Sequence, residues 1–429
     1  MKKKIVAMTL VGTMTMSLFA GCGGNNDQQQ EASSSDTINI LMEDVADTQI
    51  VQKHIDEFEE ETGIHVNIET IGYSSMHEKL LTQMISNTNA YDVVVVDCYW
   101  VGEFTEAGWL EDLGPYIEES EFDTSPYLDS MMNMVGEVDG TTYMIPFYNY
   151  MMSLIYRTDI FENEEMQTAY ENEFGKPFEM PANLEEYVEL CKWITSQQTE
   201  ISGVVMQGAR PDPTVVEWCN YLFSCGGDFY DENGEIVINS EKAVKALDLY
   251  VDNMINAAPE GSKSFGFDEA FNVFAQGDAF SYITYNWMIP RLNNADESSV
   301  SGLVDIVPIP DGISLNAGWG WGIPANAANK DAAWKFISWI ESAEMTKTRA
   351  LEGGSPTRED VMQDEEVLEA YPYLGTVYDI MKTAKMIPIM EDATQLVEVL
   401  GREISLTVTG DKSSQEALDT VAEEMKDMS

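Results

Sequence analysis

Three histidines, five cysteines, nine tryptophans and 75 carboxylates are the side chains of this 429-residue chain with the most obvious chemical potential. His54, His65 and His77 fall in the first third, two on expected helices and one on a strand edge, where surface and capping roles account for them. No G-x-S-x-G, H-E-x-x-H or Walker A sequence occurs, so no motif-borne nucleophile, zinc protease or nucleotide site is expected. Cys98, Cys191, Cys219 and Cys225 form no C-x-x-C pair and have no histidine close in sequence to complete a zinc site. Paired as a disulfide or left as thiols, Cys219 and Cys225 stay open at this point. The D-F-Y-D-E-N-G-E stretch at 228–235 has calcium-ligand residue types without the calcium-loop spacing, and is expected to be a hairpin turn. Two carboxylates at the ~5–10 Å separation of a glycosidase can always be found among so many, so their presence discriminates nothing. What remains is non-covalent chemistry by flat rings, amides and carboxylates. Trp319 and Trp321 stand two apart in a glycine-rich run, so in an extended segment both point the same way with little to cover their faces.

Such residues need elements to hold them. Residues 37–42 form a short β-rich run, and residues 48–62 carry apolar side chains at helical spacing closed by Gly63. Residues 64–71 alternate as a strand does, residues 76–85 return to helical spacing, and four consecutive valines at 93–96 predict a strand buried on both faces. Strands are also expected at 143–146, 153–156, 280–284 and 304–307, and helices at 184–195, 241–255 and 331–340. This alternation calls for parallel α/β sheets, whose ligands sit beyond the carboxyl ends of the strands. Asp44, Tyr73, Asp97 and Trp100 lie just past such ends, and Trp287 follows the 280–284 strand in T-Y-N-W-M, sharing its loop with Tyr285 and Asn286. Trp109, Trp193, Trp218 and Trp334 are expected in core or helix packing. Pro or Gly coincides with a change of pattern at 146–150, 308–311 and 352–356, three candidate breakpoints.

The formal net charge is −52, a field that repels phosphate backbones and anionic headgroups and disfavours strongly anionic ligands. Nucleic acid is therefore not an expected partner. At this length two or three packing units are expected, at roughly 150 residues each. Lys2, Lys3 and Lys4 precede an apolar stretch at 5–20, shorter than the ~20 residues that span a bilayer, so residues 1–21 read as an export signal. Ala20 and Gly21 before Cys22 resemble a lipoprotein processing site, although Phe19 departs from its usual leucine. Residues 22–36 are polar and predict a flexible tether lipidated on Cys22, with the body held outside the cytoplasm.

Several stretches, in order, resemble the family 1 extracellular solute-binding proteins of ABC importers. They are F-E-E-E-T-G-I-H-V at 58–66, Y-D-V-V-V-V-D at 91–97, G-W-L-E-D-L at 108–113, D-G-T-T-Y-M-I-P-F at 139–147, S-L-I-Y-R-T-D-I-F at 153–161, G-W-G-W-G-I-P-A at 318–325 and N-K-D-A-A-W-K-F-I at 329–337. The resemblance covers most of residues 37–410. It implies a two-lobed fold, each lobe a doubly wound sheet flanked by helices, hinged around a ligand cleft. The implied N-lobe is 37–146 with 311–348, and the implied C-lobe is 147–308 with 352–429.

A sugar leaving water needs partners for its hydroxyls and flat surfaces for its C–H faces, which carboxylates, amides and aromatic rings provide. By resemblance, Trp287 is the stacking residue of the C-lobe, and Asp44, Asp97, Trp100, Tyr148 and Asn149 lie on segments directed to the cleft. Tyr73, Tyr285, Asn286, Trp319 and Trp321 join them as ligand-binding candidates, and Arg358 is expected to close over the ligand. Pro388 is followed by I-M-E-D-A-T, without an aromatic that maltodextrin binding would use. The implied protein is a monomeric, cofactor-free lipoprotein that passes a neutral mono- or oligosaccharide to the membrane subunits of an ABC permease, without chemistry on the ligand. A secreted carbohydrate-active hydrolase, a binding protein for a polyol or peptide, and a structural lipoprotein are the alternatives.

Overall fold

The computed structural model describes residues 37–197, 200–310 and 312–428. The expected signal and tether lie outside them. Ten strands are described: β1 (Thr37–Glu43), β2 (His65–Ile71), β3 (Val93–Asp97), β4 (Glu137–Val138), β5 (Thr141–Thr142), β6 (Met144–Arg157), β7 (Ser202–Val205), β8 (Ala279–Tyr285), β9 (Val304–Val307) and β10 (Asn316–Gly322). Eight of them form one mixed sheet in the order β2-β1-β3-β10-β6-β8-β7, with β9 also paired to β6, while β4 and β5 make a separate hairpin. The parallel pairs, β1 with β2 and β3 and β7 with β8, lie toward the two ends of this order. Antiparallel β10 and β6 join them.

Local sequence explains most elements. The valines of β3 are all fully buried, as an apolar run with cover on both faces must be. Edge strand β2 alternates between half-buried and exposed residues. The helix Glu241–Asn256 starts where the Ser240 side chain accepts a hydrogen bond from the Ala243 N–H, and Leu184–Ser196 starts where Asn183 accepts from Glu186. The segment expected as one helix over 48–62 is two, Ala46–Lys53 and Ile55–Thr62, because His54 leaves helical geometry at φ −102° and ψ 2°. Helix Lys330–Ile340 buries Ala333, Phe336, Ile337 and Ile340 as its inward stripe. Trp193, Trp218 and Trp334 are buried in packing, and Cys98, Cys191 and Cys219 are buried thiols.

The larger departure concerns β6. The two short strands expected at 143–146 and 153–156 are the ends of one 14-residue strand, buried along its whole length. Residues 144–151 pair with β10, and residues 152–157 pair with β8 and β9. The apolar run between Pro146 and Ser153 has no polar interruption except Asn149, so nothing in the pattern requires a break. Pro146 instead marks an irregularity: β10 partners Tyr148 from Trp319 and Pro146 from Gly320, which leaves Phe147 as the extra residue of a bulge.

The sheet packs tightly on its helices. A Cβ added to Gly203 of β7 would lie 1.9 Å from the Cys191 carbonyl oxygen, a backbone atom that cannot swing aside. Gly203→Ala is therefore expected to destabilise the fold by about 3 kcal/mol or more in urea denaturation. Gly72→Ala, with nothing within 4 Å of its added methyl, serves as the control and should stay near wild type. Equal stability of the two variants would contradict this close approach.

Candidate functional site

Two adjoining cavities open where the strand ends meet. The inner one, about 120 Å³, is lined from the β1, β2 and β3 side by Glu43, Val45, Tyr73, Asp97 and Tyr99, and from β6 and β10 by Tyr150, Ala317 and Trp319. Tyr285 and Trp287 after β8, Asp212 at the first turn of helix Asp212–Ser224, and Phe267 at the start of helix Phe267–Gln276 complete its wall. The outer one, about 470 Å³, shares Tyr73, Tyr99, Asp212 and Phe267 and adds His77, Trp100 and Glu398 among others. Its size is that of a small-molecule site, ~300–1,000 Å³. The location is the one expected for an α/β sheet, since β1, β2, β3, β7 and β8 all run toward it.

Rings build the walls. Tyr73 stacks on Trp100 at 5.8 Å with 16° between planes, and Trp319 meets Trp100 edge-on at 5.3 Å. On the other side, Tyr150 lies 5.8 Å from Trp287 and Phe267 lies 5.7 Å from Tyr285. The loop carrying Tyr285 and Trp287 is held by the residue between them. Asn286 accepts a hydrogen bond from the Met151 N–H at 2.8 Å through Oδ1, and donates its own N–H to the Met151 carbonyl at 2.9 Å.

Carboxylates supply the polarity. Asp97 is 3% exposed, and its Oδ1 accepts from the Tyr99 N–H at 3.1 Å. Burial pushes its carboxyl up to about 8, against the lowering effect of that hydrogen bond and with help from the charge of Asp212. Glu43 rises to about 7 through burial, partly offset by the Tyr148 hydroxyl that donates to it at 2.9 Å. Asp212 rises to about 6 through burial alone. Behind this row Asp47, also raised by burial, accepts from the Ser355 N–H at 2.8 Å and from the Tyr150 hydroxyl at 3.2 Å. Among the described residues no group of three or more His, Cys, Asp or Glu could hold a metal ion.

Of the twelve residues expected at a cleft, Tyr73, Asp97, Tyr285, Trp287 and Trp319 line the inner cavity, and Trp100 with Tyr73 lines the outer one. The rest sit elsewhere. Trp321 shares a sheet face with Trp319 but lies two residues deeper, about 7 Å along the strand. There it is fully buried against Phe147 and Phe336 and donates to Glu341 at 2.8 Å. Arg358 is 6% exposed and engaged with Asp360 at 2.7 Å and the face of Tyr127, so it does not reach the cavities as expected. Asn286 is committed to the backbone of β6, Tyr148 supports Glu43 from behind, Asn149 is buried, and Asp44 is exposed outside both cavities.

Sequence reasoning missed Glu43, Tyr99, Tyr150, Asp212 and Phe267 among the lining residues. The signal for Glu43 and Tyr99 was available, since they flank the strand ends already used to select Asp44 and Asp97. Asp212 and Phe267 begin helices after loops whose course only the fold reveals.

Residues 43–347 match the family model described as bacterial extracellular solute-binding protein. The chain belongs to this family. Similar relatives of this solute-binding protein include the erythritol/L-threitol-binding protein of Mycolicibacterium smegmatis, 24% identical over 90% of this chain and 87% of that one. Another is a probable amino-acid ABC transporter periplasmic-binding protein of Sinorhizobium fredii, 24% identical over 84% of this chain and 82% of its own. Among solved structures, the maltose-bound T. maritima MalE3 superposes with a TM-score of 0.79 at 27% identity, covering 91% of this chain and 99% of that one. A solute-binding protein of Agrobacterium radiobacter in complex with ribitol gives a TM-score of 0.79 at 25% identity, with 91% and 98% covered. The two-lobed fold of these binding proteins is thus the fold of this chain.

The raised Asp97 has a consequence for stability. Folded, it keeps its proton up to about pH 8, whereas the unfolded chain releases it near the ordinary 3.8. Between these values the folded state binds more protons, so stability falls as pH rises, by up to about 1.4 kcal/mol per pH unit for this group. Asp97→Asn removes that slope. Urea denaturation at pH 5, 6.5 and 8 should show the variant gaining on wild type as pH increases; a constant difference would contradict a carboxyl kept protonated by burial.

Proposed function

We propose that this solute-binding protein captures a sugar or polyol in the ring-walled cleft and hands it unaltered to the membrane subunits of an ABC importer. The observation that carries this reading is the meeting of aromatic rings with carboxyl groups, Asp97 buried and Glu43 and Asp212 half-buried, around one cavity. Rings accept the C–H faces of a polyhydroxylated solute, and carboxyl groups, protonated or ionised, exchange hydrogen bonds with its hydroxyls. Relatives named for erythritol or threitol and structures holding ribitol or maltose support the same ligand class. The proposed N-lobe is 37–146 with 311–348 and the proposed C-lobe is 147–308 with 352–429, closing on the ligand by a hinge. The proposed anchor is lipid on Cys22, with residues 1–21 removed as the signal, and the proposed working form is a monomer outside the cytoplasm.

An amino acid, suggested by one relative's name, fits less well. Its carboxylate would face Glu43, Asp97 and Asp212, and no lysine or arginine lines either cavity to receive it.

Titration of the protein with sugars and polyols, followed by tryptophan emission, should saturate without any product; cleavage of the ligand would move the protein to the hydrolases. Trp287→Ala is expected to weaken binding by at least ~1 kcal/mol, the scale of a lost ring contact. An unchanged affinity would remove Trp287 from the site. Cys22→Ser should release the protein from the membrane fraction into the medium, and retention on the membrane would refute the lipid anchor.

A further inference from the structure

We infer that the cleft prefers a sugar or polyol carrying a protonated amine over the same molecule without one. The inference rests on the sugar or polyol reading of this cavity and narrows it.

Three observations converge. First, the inner cavity brings together Glu43, Asp97 and Asp212 with no lysine or arginine lining it or the outer cavity. The Arg291 guanidinium approaches the Trp287 ring centre at 5.8 Å, but Arg291 lies outside the lining and hydrogen-bonds Glu297 at 3.0 Å. His77, on the outer cavity, is already held at 2.8 Å by Glu103. Hydroxyl groups need acceptors and donors in comparable number, whereas carboxyls that hold protons for want of a counter-charge ionise when a cation supplies one.

Second, the walls are aromatic. Tyr73, Trp319, Trp287 and Phe267 surround the same space, and the negative faces of aromatic rings attract an ammonium group as carboxylates do. Rings alone would suit a neutral sugar, and carboxylates alone would suit water; together they form the lining that a desolvated cation requires.

Third, the site contains polar groups without partners. Tyr99 is 6% exposed and lines both cavities, and its hydroxyl, which lies beside the Tyr285 side chain, makes no hydrogen bond of ordinary geometry among the described residues. Asp212 is half-buried and lines both cavities, yet no described side chain or N–H hydrogen-bonds or ion-pairs with its carboxylate. An ammonium has three donors and no acceptor, which matches the Tyr99 hydroxyl oxygen and the three carboxyls of the lining more closely than a hydroxyl does. The upward shifts of Glu43, Asp97 and Asp212 agree with this, since burial without a counter-charge is what holds them up. A metal ion is the other cation to consider, and the described residues offer no group of three or more ligands for one.

The test is calorimetric titration of the full chain at pH 7 with matched sets: sorbitol, 1-amino-1-deoxysorbitol and its N-acetyl derivative, and the glucose, glucosamine, N-acetylglucosamine and gluconate set, with galactose and mannose counterparts. The amine member of the set that binds should bind at least tenfold more tightly than its neutral parent, and the acid should bind most weakly. Asp212→Asn, which removes a charge while keeping the side chain's shape, should cut the ratio of amine to neutral-parent affinity at least fivefold, and an unchanged ratio would overturn the preference. Parents binding as well as or better than their amines, or an acid outbinding its parent, would overturn the preference and leave the sugar or polyol reading standing. Absence of binding across every set would overturn both.

Discussion

The structure depends on one strand changing partners. Strand β6 is 14 residues long and buried throughout, and at Met151 it passes from β10 to β8 and β9. A strand in that position must have its backbone groups satisfied on both sides of the exchange, because each orphaned buried donor costs about 1–3 kcal/mol. Asn286 meets the need by closing a two-bond ring with the Met151 N–H and carbonyl. The consequence is geometric. Tyr285 and Trp287 flank that asparagine, Tyr150 precedes Met151, and Trp319 lies across from Tyr148 on β10, so a backbone requirement sets where the rings of the cleft stand.

The same place concentrates electrostatic cost. Carboxylates at the carboxyl ends of parallel strands lose water when the helices and rings close around them, and in return Asp97 accepts from the Tyr99 N–H and Glu43 from the Tyr148 hydroxyl. Elsewhere the protein handles buried charge differently. Glu341 is fully buried but paired at 2.6 Å with Arg349 and hydrogen-bonded by Trp321, an arrangement that leaves nothing for a ligand to complete. Glu341 is thus a structural use of charge, whereas Asp97, Glu43 and Asp212 line a cavity with no cation in its wall. Preorganised acceptors of this kind sacrifice stability in the empty protein and recover it when a donor arrives.

Much of this was legible from residue types alone, and the failures have physical causes. The four valines of β3 announce a buried strand, and the residues following it, Asp97 and Trp100, lie at the cavities because strand ends in an α/β sheet point there. Trp321 has the right type and the right face, but spacing along a strand sets depth as well as direction, and two residues carry it under helix Lys330–Ile340. Arg358 was expected over the ligand as one of the chain's few cations. In the fold Asp360, only two residues away, takes the Nε and Nη2 edge of its guanidinium, and Nη1 donates to the Glu341 carbonyl. Asp212 and Phe267 escaped because they begin helices, where an acidic or aromatic residue has a sufficient local explanation; only the tertiary approach of those helices to β1 and β3 turns them toward the cavity.

A crystal structure of the protein with its tightest-binding sugar or polyol tests the central assignment most directly. Ligand density should lie between the Tyr73 and Trp319 rings on one side and the Trp287 and Phe267 rings on the other, with a polar ligand atom within hydrogen-bonding distance of Asp97 or Asp212. Density at any other surface, with these rings and carboxylates contacting only protein and solvent, would contradict it.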